Sequence, residues 1–188
     1  MTMKTILWAT LSANGNYARN DPAHPPKAEA LADFSAHVQA TGNFIVGRRT
    51  FESFQARSAR AEQPGATSPA PAALPGSAVI VLVSSSLQIP GMPCAPSARA
   101  ALALLRDRGH ATALIAGGEQ LHNAFLAEDL VDELVLNITP TLEDRGFKLV
   151  LPEGRRRDVQ LMGSKALGGG VVQLRYALRG EPRAAQEE

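Results

Sequence analysis

The chain has 188 residues, which fits one domain of ordinary size. Its 19 Lys and Arg against 18 Asp and Glu give a net charge of +1, which excludes the electrostatic footprint of a nucleic-acid or anionic-membrane binder. Hydrophobic residues make up 45%, so a real core can form and global disorder is excluded. The one cysteine, Cys94, cannot form an internal disulfide and favours a reducing compartment.

The first half of the chain alternates short apolar runs with helical patterns. Residues 5–11 are apolar and end at the turn cluster 12–15, which predicts a buried strand. Apolar residues at helical spacing after two prolines predict a helix over residues 27–40. Residues 43–46 predict a second buried strand, and a helix-compatible segment, 50–55, follows it.

Residues 55–78 differ sharply in composition from the rest of the chain. They hold eight Ala, four Pro and two Gly, and Leu74 is their one large aliphatic residue. A segment with so little apolar surface cannot order itself by burial. We predict a mobile surface loop here, with an ordered lid over a site as the alternative.

The second half returns to strands and helices. The β-branched run 78–83 predicts a central strand covered on both faces. Further predicted elements are a helix from Ser97 through Arg106, a strand at 112–116, a helix to about Ala127, a strand at 133–139, and an antiparallel hairpin of 159–166 and 171–178. The sequence therefore predicts one α/β domain over residues 1–179, with a mostly parallel sheet, an antiparallel C-terminal hairpin and a polar tail at 180–188.

Three of the predicted strands end in residues suited to binding phosphate. Ligands of open α/β sheets bind beyond the carboxyl ends of the strands. The first end has a glycine, two cations and a hydroxyl, the second has three hydroxyls, and the third has paired glycines before a helix. Each could equally be an ordinary turn. The residues are Gly47, Arg48, Arg49 and Thr50; Ser84, Ser85 and Ser86; and Gly117, Gly118, Glu119, Gln120 and Leu121.

Several other site classes are disfavoured by their missing motifs. The chain has neither a Gly-x-Gly-x-x-Gly fingerprint nor a Walker motif, and it has no Gly-x-Ser-x-Gly elbow. Its four histidines lack metal-ligand spacing, so we expect no metal site. No apolar run near the N-terminus is long enough to span a membrane and no secretory signal pattern is present, so we expect a cytoplasmic protein.

Five stretches carry a resemblance to a known family. They read WATLSANGNYA at 8–18, FIVGRRTFE at 44–52, VLVSS at 81–85, AGGEQL at 116–121 and DLVDEL at 129–134. In this order and spacing the chain resembles the dihydrofolate reductase-like superfamily, and within it the reductase domain of riboflavin biosynthesis, the RibD C-terminal domain, as a small stand-alone relative. The resemblance covers about residues 4–178 and implies an NADPH-dependent reductase acting on a pteridine- or pyrimidine-type heterocycle.

The resemblance also implies roles for individual residues. Gly47 to Thr50 would hold the cofactor's phosphates, Ser84 to Ser86 would surround the adenosine 2′-phosphate, and Gly117 to Leu121 would line the pyrophosphate. Ala9 and the loop Asn14–Ala18, which includes Gly15 and Asn16, would flank the nicotinamide and close over it. The resemblance also suggests a homodimer, and the terminal hairpin is a candidate interface because edge strands need covering.

The resemblance leaves the proton donor open. Folate reductases use an acid on the first helix and a Thr on a late strand, and Thr139 matches that Thr. Glu29 and Asp33 are the available acids, although Leu31 stands in the ungapped register, and a solvated helix face is the other interpretation of both. Water is a third donor. Asn14 stands where riboflavin-type relatives carry Asp, so dihydrofolate reduction and a non-catalytic NADP-binding module remain alternative functions.

Overall fold

The computed structural model describes residues 3–19, 21, 23–61, 78–84 and 89–178, with the side chains of 57–61 left out. One eight-stranded sheet and four helices make up this part of the chain. In chain order the elements are β1 Lys4–Ser12, α1 Ala28–Thr41, β2 Asn43–Gly47, α2 Arg48–Ala61, β3 Val79–Val83, β4 Cys94–Ala95, α3 Ala98–Asp107, β5 Thr112–Gly117, α4 Glu119–Ala127, β6 Glu133–Thr139, β7 Gln160–Gly168 and β8 Val171–Ala177.

The strands lie in the order β4-β3-β2-β5-β1-β6-β8-β7. The pairs among β1 to β6 are parallel, whereas β8 pairs antiparallel with both β6 and β7. The predicted α/β class, with a mostly parallel sheet and an antiparallel C-terminal hairpin, is confirmed. Parallel strands joined through helices place all the β1 to β6 carboxyl ends at one edge of the sheet, which we call the carboxyl edge.

The helices cover the sheet from both faces. Phe34 and Val38 of α1 pack in one buried cluster with β-strand residues such as Phe44. Leu105 of α3 and Phe125 of α4 pack in a second buried cluster, which holds the strand residues that alternate with those of the first. Because successive strand side chains point to opposite faces, α1 and α2 lie on one face of the sheet and α3 and α4 on the other.

Local sequence signals predict both ends of α3 correctly. Ser97 caps α3, where its hydroxyl accepts the amide hydrogen of Ala100 at 3.2 Å, as the sequence predicted. Gly109 follows α3 with φ +82°, a left-handed conformation that glycine adopts without strain. None of the helices in the described residues is long and apolar enough to cross a bilayer.

The strand predicted at 78–83 is internal and covered on both faces, because β3 pairs with β2 on one side and with β4 on the other, and Val81 and Leu82 pack in opposite clusters. The two-residue strand β4 was missed by the sequence analysis, and the loop predicted at 55–78 is wrong in part. Helix α2 continues through Ala61, so residues 55–61 are helical and not part of a loop. Alanine, glutamine and arginine are strong helix formers. They are concentrated at the start of the segment 55–78, which a residue count over all 24 positions does not show. Residues 62–77 and the polar tail lie outside the described residues.

Candidate functional site

The chain order of the strands opens a crevice at the carboxyl edge. β2 and β5 are neighbours, and the helices that follow them, α2 and α4, leave toward opposite faces of the sheet. Diverging connections of this kind create the ligand-binding crevice of open α/β sheets. A Cβ on Gly47 would lie 3.8 Å from both the carbonyl oxygen of Gly117 and the amide nitrogen of Gly118. The first and third of the predicted phosphate-binding segments therefore lie next to each other at the carboxyl edge.

The two glycine turns lie close together. A Cβ on Gly118 would lie only 2.8 Å from the hydroxyl oxygen of Thr50, so a side chain at this position would force Thr50 to shift. Gly117 has φ +107°, and the peptide bond between the two glycines is cis. Gly118 is the N-cap of α4 and offers no side-chain cap, so the first-turn amides of α4 keep their capacity to bind an anion.

Arg48 and Arg49 provide positive charge at this crevice. Both are exposed in the first turn of α2. Arg48 lies 3.9 Å from Glu52, and both side chains are more than half exposed, so the pair is weak and leaves the guanidinium available. Arg49 makes no ion pair with any residue that the structure describes. An anion in the crevice would meet these two cations together with the helix N-termini.

The remaining predicted phosphate residues divide between edge and core. Ser84 follows β3 at the carboxyl edge, where its amide donates to the carbonyl of Ala95 at 3.0 Å; Ser85 and Ser86 lie outside the described residues. Gln120 is exposed in the first turn of α4, and Glu119 accepts a hydrogen bond from Asn123 at 3.1 Å. Leu121 is 7% exposed and packs in the core, as does Ala9, the residue predicted beside the nicotinamide, which is 2% exposed. Their side chains therefore face the core and not a ligand.

The loop after β1 is fastened to the segment that follows β6. The Asn14 amide donates to the carbonyl of Glu143 at 2.7 Å and accepts from the amide of Glu143 at 3.1 Å. Asn16 is buried and donates to the same carbonyl at 3.2 Å. Gly15 between them has φ +81°, which the turn requires. Both asparagines therefore hold this loop in place, and their amide groups are already committed.

A hydrogen-bonded pair of the half-buried Tyr17 and the buried His122 lies beneath the glycine turn, and the sequence analysis did not identify it. The hydroxyl of Tyr17 and Nδ1 of His122 are 2.5 Å apart, and Nε2 of His122 is 3.2 Å from the carbonyl of Ile115. Burial lowers the pKa of His122 to about 4, although the hydrogen bond to Ile115 opposes it. Burial, and then the negative charge of Glu119, raises the pKa of Tyr17. No local pattern reveals two partners that are 105 residues apart.

Asp33 is enclosed by hydrogen-bond donors and does not lie on a solvated helix face. Its side chain is 10% exposed. The indole of Trp8 donates to its Oδ2 at 2.8 Å, the amide of Asn137 donates to the same oxygen at 3.0 Å, and the amide of Gln173 donates to Oδ1 at 2.7 Å. These donors come from β1, β6 and β8. Asp33 therefore ties α1 to three strands.

Glu29, one turn before Asp33, lies at the carboxyl edge. α1 runs antiparallel to the strands, so its first turn lies where β1 ends. A Cβ on Gly169, in the turn between β7 and β8, would overlap the Glu29 carboxylate. Within the described residues, Glu29 makes no hydrogen bond and no ion pair. Of the two predicted acids, Glu29 is therefore the one that keeps an open carboxylate.

Thr139 is not placed beside either acid. Its hydroxyl donates to the carbonyl of Leu11 at 3.1 Å and contacts the hydroxyl of Thr141 at 2.8 Å. Asn137, two residues earlier on the same face of β6, contacts Asp33 instead. The late-strand partner of the helix acid is thus an amide and not a hydroxyl.

Part of the chain matches a known family model, and nearly all of it matches one curated relative. Residues 96–173 match the family model described as the RibD C-terminal domain. The uncharacterized protein YwjB of Bacillus subtilis (strain 168) is 26% identical over 180 residues, which are 94% of this chain and 98% of that protein.

Solved structures share the fold at low sequence identity. A putative riboflavin biosynthesis protein from Shewanella sp. PV-4 matches 95% of this chain and 100% of its own, with TM-score 0.70 and 19% identity. A diaminohydroxyphosphoribosylaminopyrimidine deaminase/5-amino-6-(5-phosphoribosylamino)uracil reductase from Thermotoga maritima matches 95% of this chain but 57% of its own, with TM-score 0.65 and 12% identity. The predicted resemblance to the RibD C-terminal domain is thus confirmed over residues 96–173, and solved structures share the fold along 95% of the chain.

Proposed function

We propose that this chain is an NADPH-dependent reductase that transfers hydride to a C=N or C=O group of a pteridine- or pyrimidine-type heterocycle. The observation that carries the proposal is the convergence of two helix N-termini at one crevice, where Gly118 and Thr50 are in close contact. Bare backbone amides, two exposed arginines and a hydroxyl form the donor set that a pyrophosphate and its attached phosphates require. The match to the RibD C-terminal domain supports the same function.

The chain's own residues would bind and orient the cofactor. Gly117 and Gly118 would lie against the pyrophosphate, Arg48, Arg49 and Thr50 would bind phosphate oxygens from α2, and Ser84 would lie toward the adenosine 2′-phosphate. NADPH, when bound, supplies the hydride. The protein's part is to hold the nicotinamide against the substrate and to exclude water from the crevice.

The two acids then have different proposed roles. Asp33 already accepts three hydrogen bonds, so little of its acceptor capacity is left for a substrate. A folate reductase needs its helix acid free for the pterin, so this occupancy disfavours dihydrofolate as the substrate. Glu29 lies at the carboxyl edge with an open carboxylate, and we propose it, or a water that it orients, as the source of the proton.

Cofactor binding is tested by thermal shift with NADPH and with NADH. At a ligand concentration one hundred times Kd, binding stabilises the fold by about 2.7 kcal/mol, which for a chain of this size raises Tm by about 5–10 °C. We expect this shift with NADPH at a lower concentration than with NADH. If neither nucleotide raises Tm, the proposed cofactor site is wrong.

Turnover is tested by NADPH oxidation at 340 nm over a panel of heterocycles. The panel includes 5-amino-6-(5-phosphoribosylamino)uracil, because the Thermotoga maritima protein is named as its reductase, and dihydrofolate as the competing substrate. We expect oxidation with a pyrimidine or pteridine other than dihydrofolate. NADPH binding without oxidation of any panel member would favour a non-catalytic NADP-binding module.

We also propose that two copies of the chain associate through the terminal hairpin. β7 is the last strand of the sheet, so its outer edge has free backbone groups that a second, antiparallel β7 could pair with about a two-fold axis. Leu161 and Met162 on this strand are 56% and 51% exposed. Leu161→Lys is expected to convert a dimer to a monomer in sedimentation equilibrium and to remove any dependence of Tm on protein concentration. A monomeric parent chain would contradict the proposal.

A further inference from the structure

The Tyr17–His122 pair joins the two parts of the chain that the proposed function assigns to the nicotinamide and to the pyrophosphate of the cofactor. Tyr17 belongs to the loop after β1, which would flank the nicotinamide. His122 lies in α4, directly below the turn that would bind the pyrophosphate. A Cβ on Gly117 would be 3.2 Å from Cε1 and 3.3 Å from Nε2 of the His122 ring, so the imidazole supports this turn from beneath.

Hydrogen bonding fixes the tautomer of His122 and the direction of the link. The carbonyl of Ile115 can only accept, so Nε2, at 3.2 Å from it, carries the hydrogen. The ring is 1% exposed and neutral, which leaves Nδ1 as an acceptor, and the hydroxyl of Tyr17 donates to it. The two rings also stack, with centroids 5.7 Å apart and an angle of 29° between their planes. Both partners are therefore held in one geometry.

Tyr17 also fixes the backbone of its loop. The backbone amide of Tyr17 donates to the carbonyl of Phe147 at 2.8 Å, and Tyr17 pairs with Leu11 in an isolated β-bridge. Among the described residues, the Tyr17 hydroxyl is the one side-chain donor of this loop that reaches α4. A movement of this loop must therefore either break the hydrogen bond between Tyr17 and His122 or move His122 together with the loop.

We propose that Tyr17 and His122 are positioning residues that couple the loop after β1 to the Gly117–Gly118 turn, so that pyrophosphate binding and enclosure of the nicotinamide occur together. This inference rests on the proposed NADPH site. Neither side chain need touch the cofactor. The pair acts through the backbone segments it joins, of which one would meet the nicotinamide and the other the pyrophosphate.

The experiment compares two ligands on wild-type chain and on Tyr17→Phe, which keeps the ring and removes the hydroxyl. NADPH occupies both the nicotinamide and the pyrophosphate regions of the site, whereas 2′-phospho-ADP-ribose has the pyrophosphate but no nicotinamide. The ratio of their Kd values measures what the nicotinamide end contributes. We expect Tyr17→Phe to weaken NADPH binding about tenfold, as the loss of a buried hydrogen bond allows, while 2′-phospho-ADP-ribose binding stays within about twofold.

A second readout needs no turnover. Arg19, in the same loop, is an exposed trypsin site that pairs with Glu143 at 2.9 Å. NADPH is expected to protect Arg19 from cleavage in the wild-type chain and to protect it less in Tyr17→Phe. The matched control is Tyr176→Phe, which removes the hydroxyl of the chain's other tyrosine, on β8, and is expected to change neither readout.

The outcomes separate the coupling from the cofactor site itself. His122→Gln should reproduce the Tyr17→Phe loss, and the double variant should lose no more than either single variant, because one link is broken in all three. Equal weakening of both ligands by Tyr17→Phe, or no weakening of either, would show a merely structural pair and overturn the coupling alone. If wild-type chain binds neither ligand, the proposed cofactor site and the coupling both fall.

Discussion

Replacing Arg48 by alanine is expected to raise the Kd for NADPH about ten- to one-hundred-fold, which corresponds to the loss of one charge-assisted hydrogen bond to a phosphate. Arg48 is in the first turn of α2, at the crevice, and its one ion-pair partner, Glu52, lies 3.9 Å away on an exposed surface. Little interaction within the protein is lost with the side chain, so Tm should change by no more than about 2 °C. Fluorescence titration at fixed ionic strength measures the affinity.

Three companion variants show whether the guanidinium itself is responsible. Arg48→Lys keeps the charge but not the planar pair of donors, so its Kd should fall between those of wild type and Arg48→Ala. Glu52→Gln removes the competing carboxylate and should leave binding unchanged or slightly tighter. Arg106→Ala, an exposed arginine in the last turn of α3 at the opposite edge of the sheet, is the control. Equal affinity of Arg48→Ala and Arg106→Ala would remove Arg48 from the site.

The glycine turns could be found from the sequence because their signal is local. The signals for a buried strand, a glycine turn and the start of a helix lie within a few consecutive residues, as at Gly47 and at Gly117. Parallel strands then bring all such ends to one edge. What the sequence did not show is that β2 and β5 are neighbours, since strand order depends on crossovers between distant segments. The close contact of Gly118 with Thr50 follows from that order.

The different surroundings of Glu29 and Asp33 could not be predicted from the sequence. Helical spacing places Glu29 and Asp33 on one face of α1, one turn apart, and treats them alike. Their difference comes from donors that are remote in the chain: Asn137 is 104 residues from Asp33 and Gln173 is 140 residues from it. For the same reason, the sequence match selected Thr139, which is two residues from Asn137, the residue that contacts Asp33. Only the folded sheet places Asn137 opposite the helix acid.

Asp33→Ala is expected to destabilise the fold by about 3 kcal/mol, because it leaves buried or half-buried donors of Trp8, Asn137 and Gln173 without an acceptor. For a chain of this size, that loss lowers Tm by about 6–12 °C. Asp33→Asn keeps one acceptor oxygen but turns an amide toward those donors, so a smaller loss of Tm is expected. Thermal unfolding followed by circular dichroism measures both variants.

Glu29→Gln is expected to do the reverse, with Tm within about 2 °C of wild type and the NADPH Kd unchanged. If Glu29 delivers the proton, kcat should fall by about 10²–10⁴-fold, because the amide has no acidic proton to give. Glu153→Gln, an exposed glutamate after β6, is the control and should alter neither quantity. Full turnover in Glu29→Gln, together with inactive but stable Asp33→Asn, would contradict the assignment. The enclosed carboxylate would then donate the proton, and one of its present donors would have to yield to the substrate.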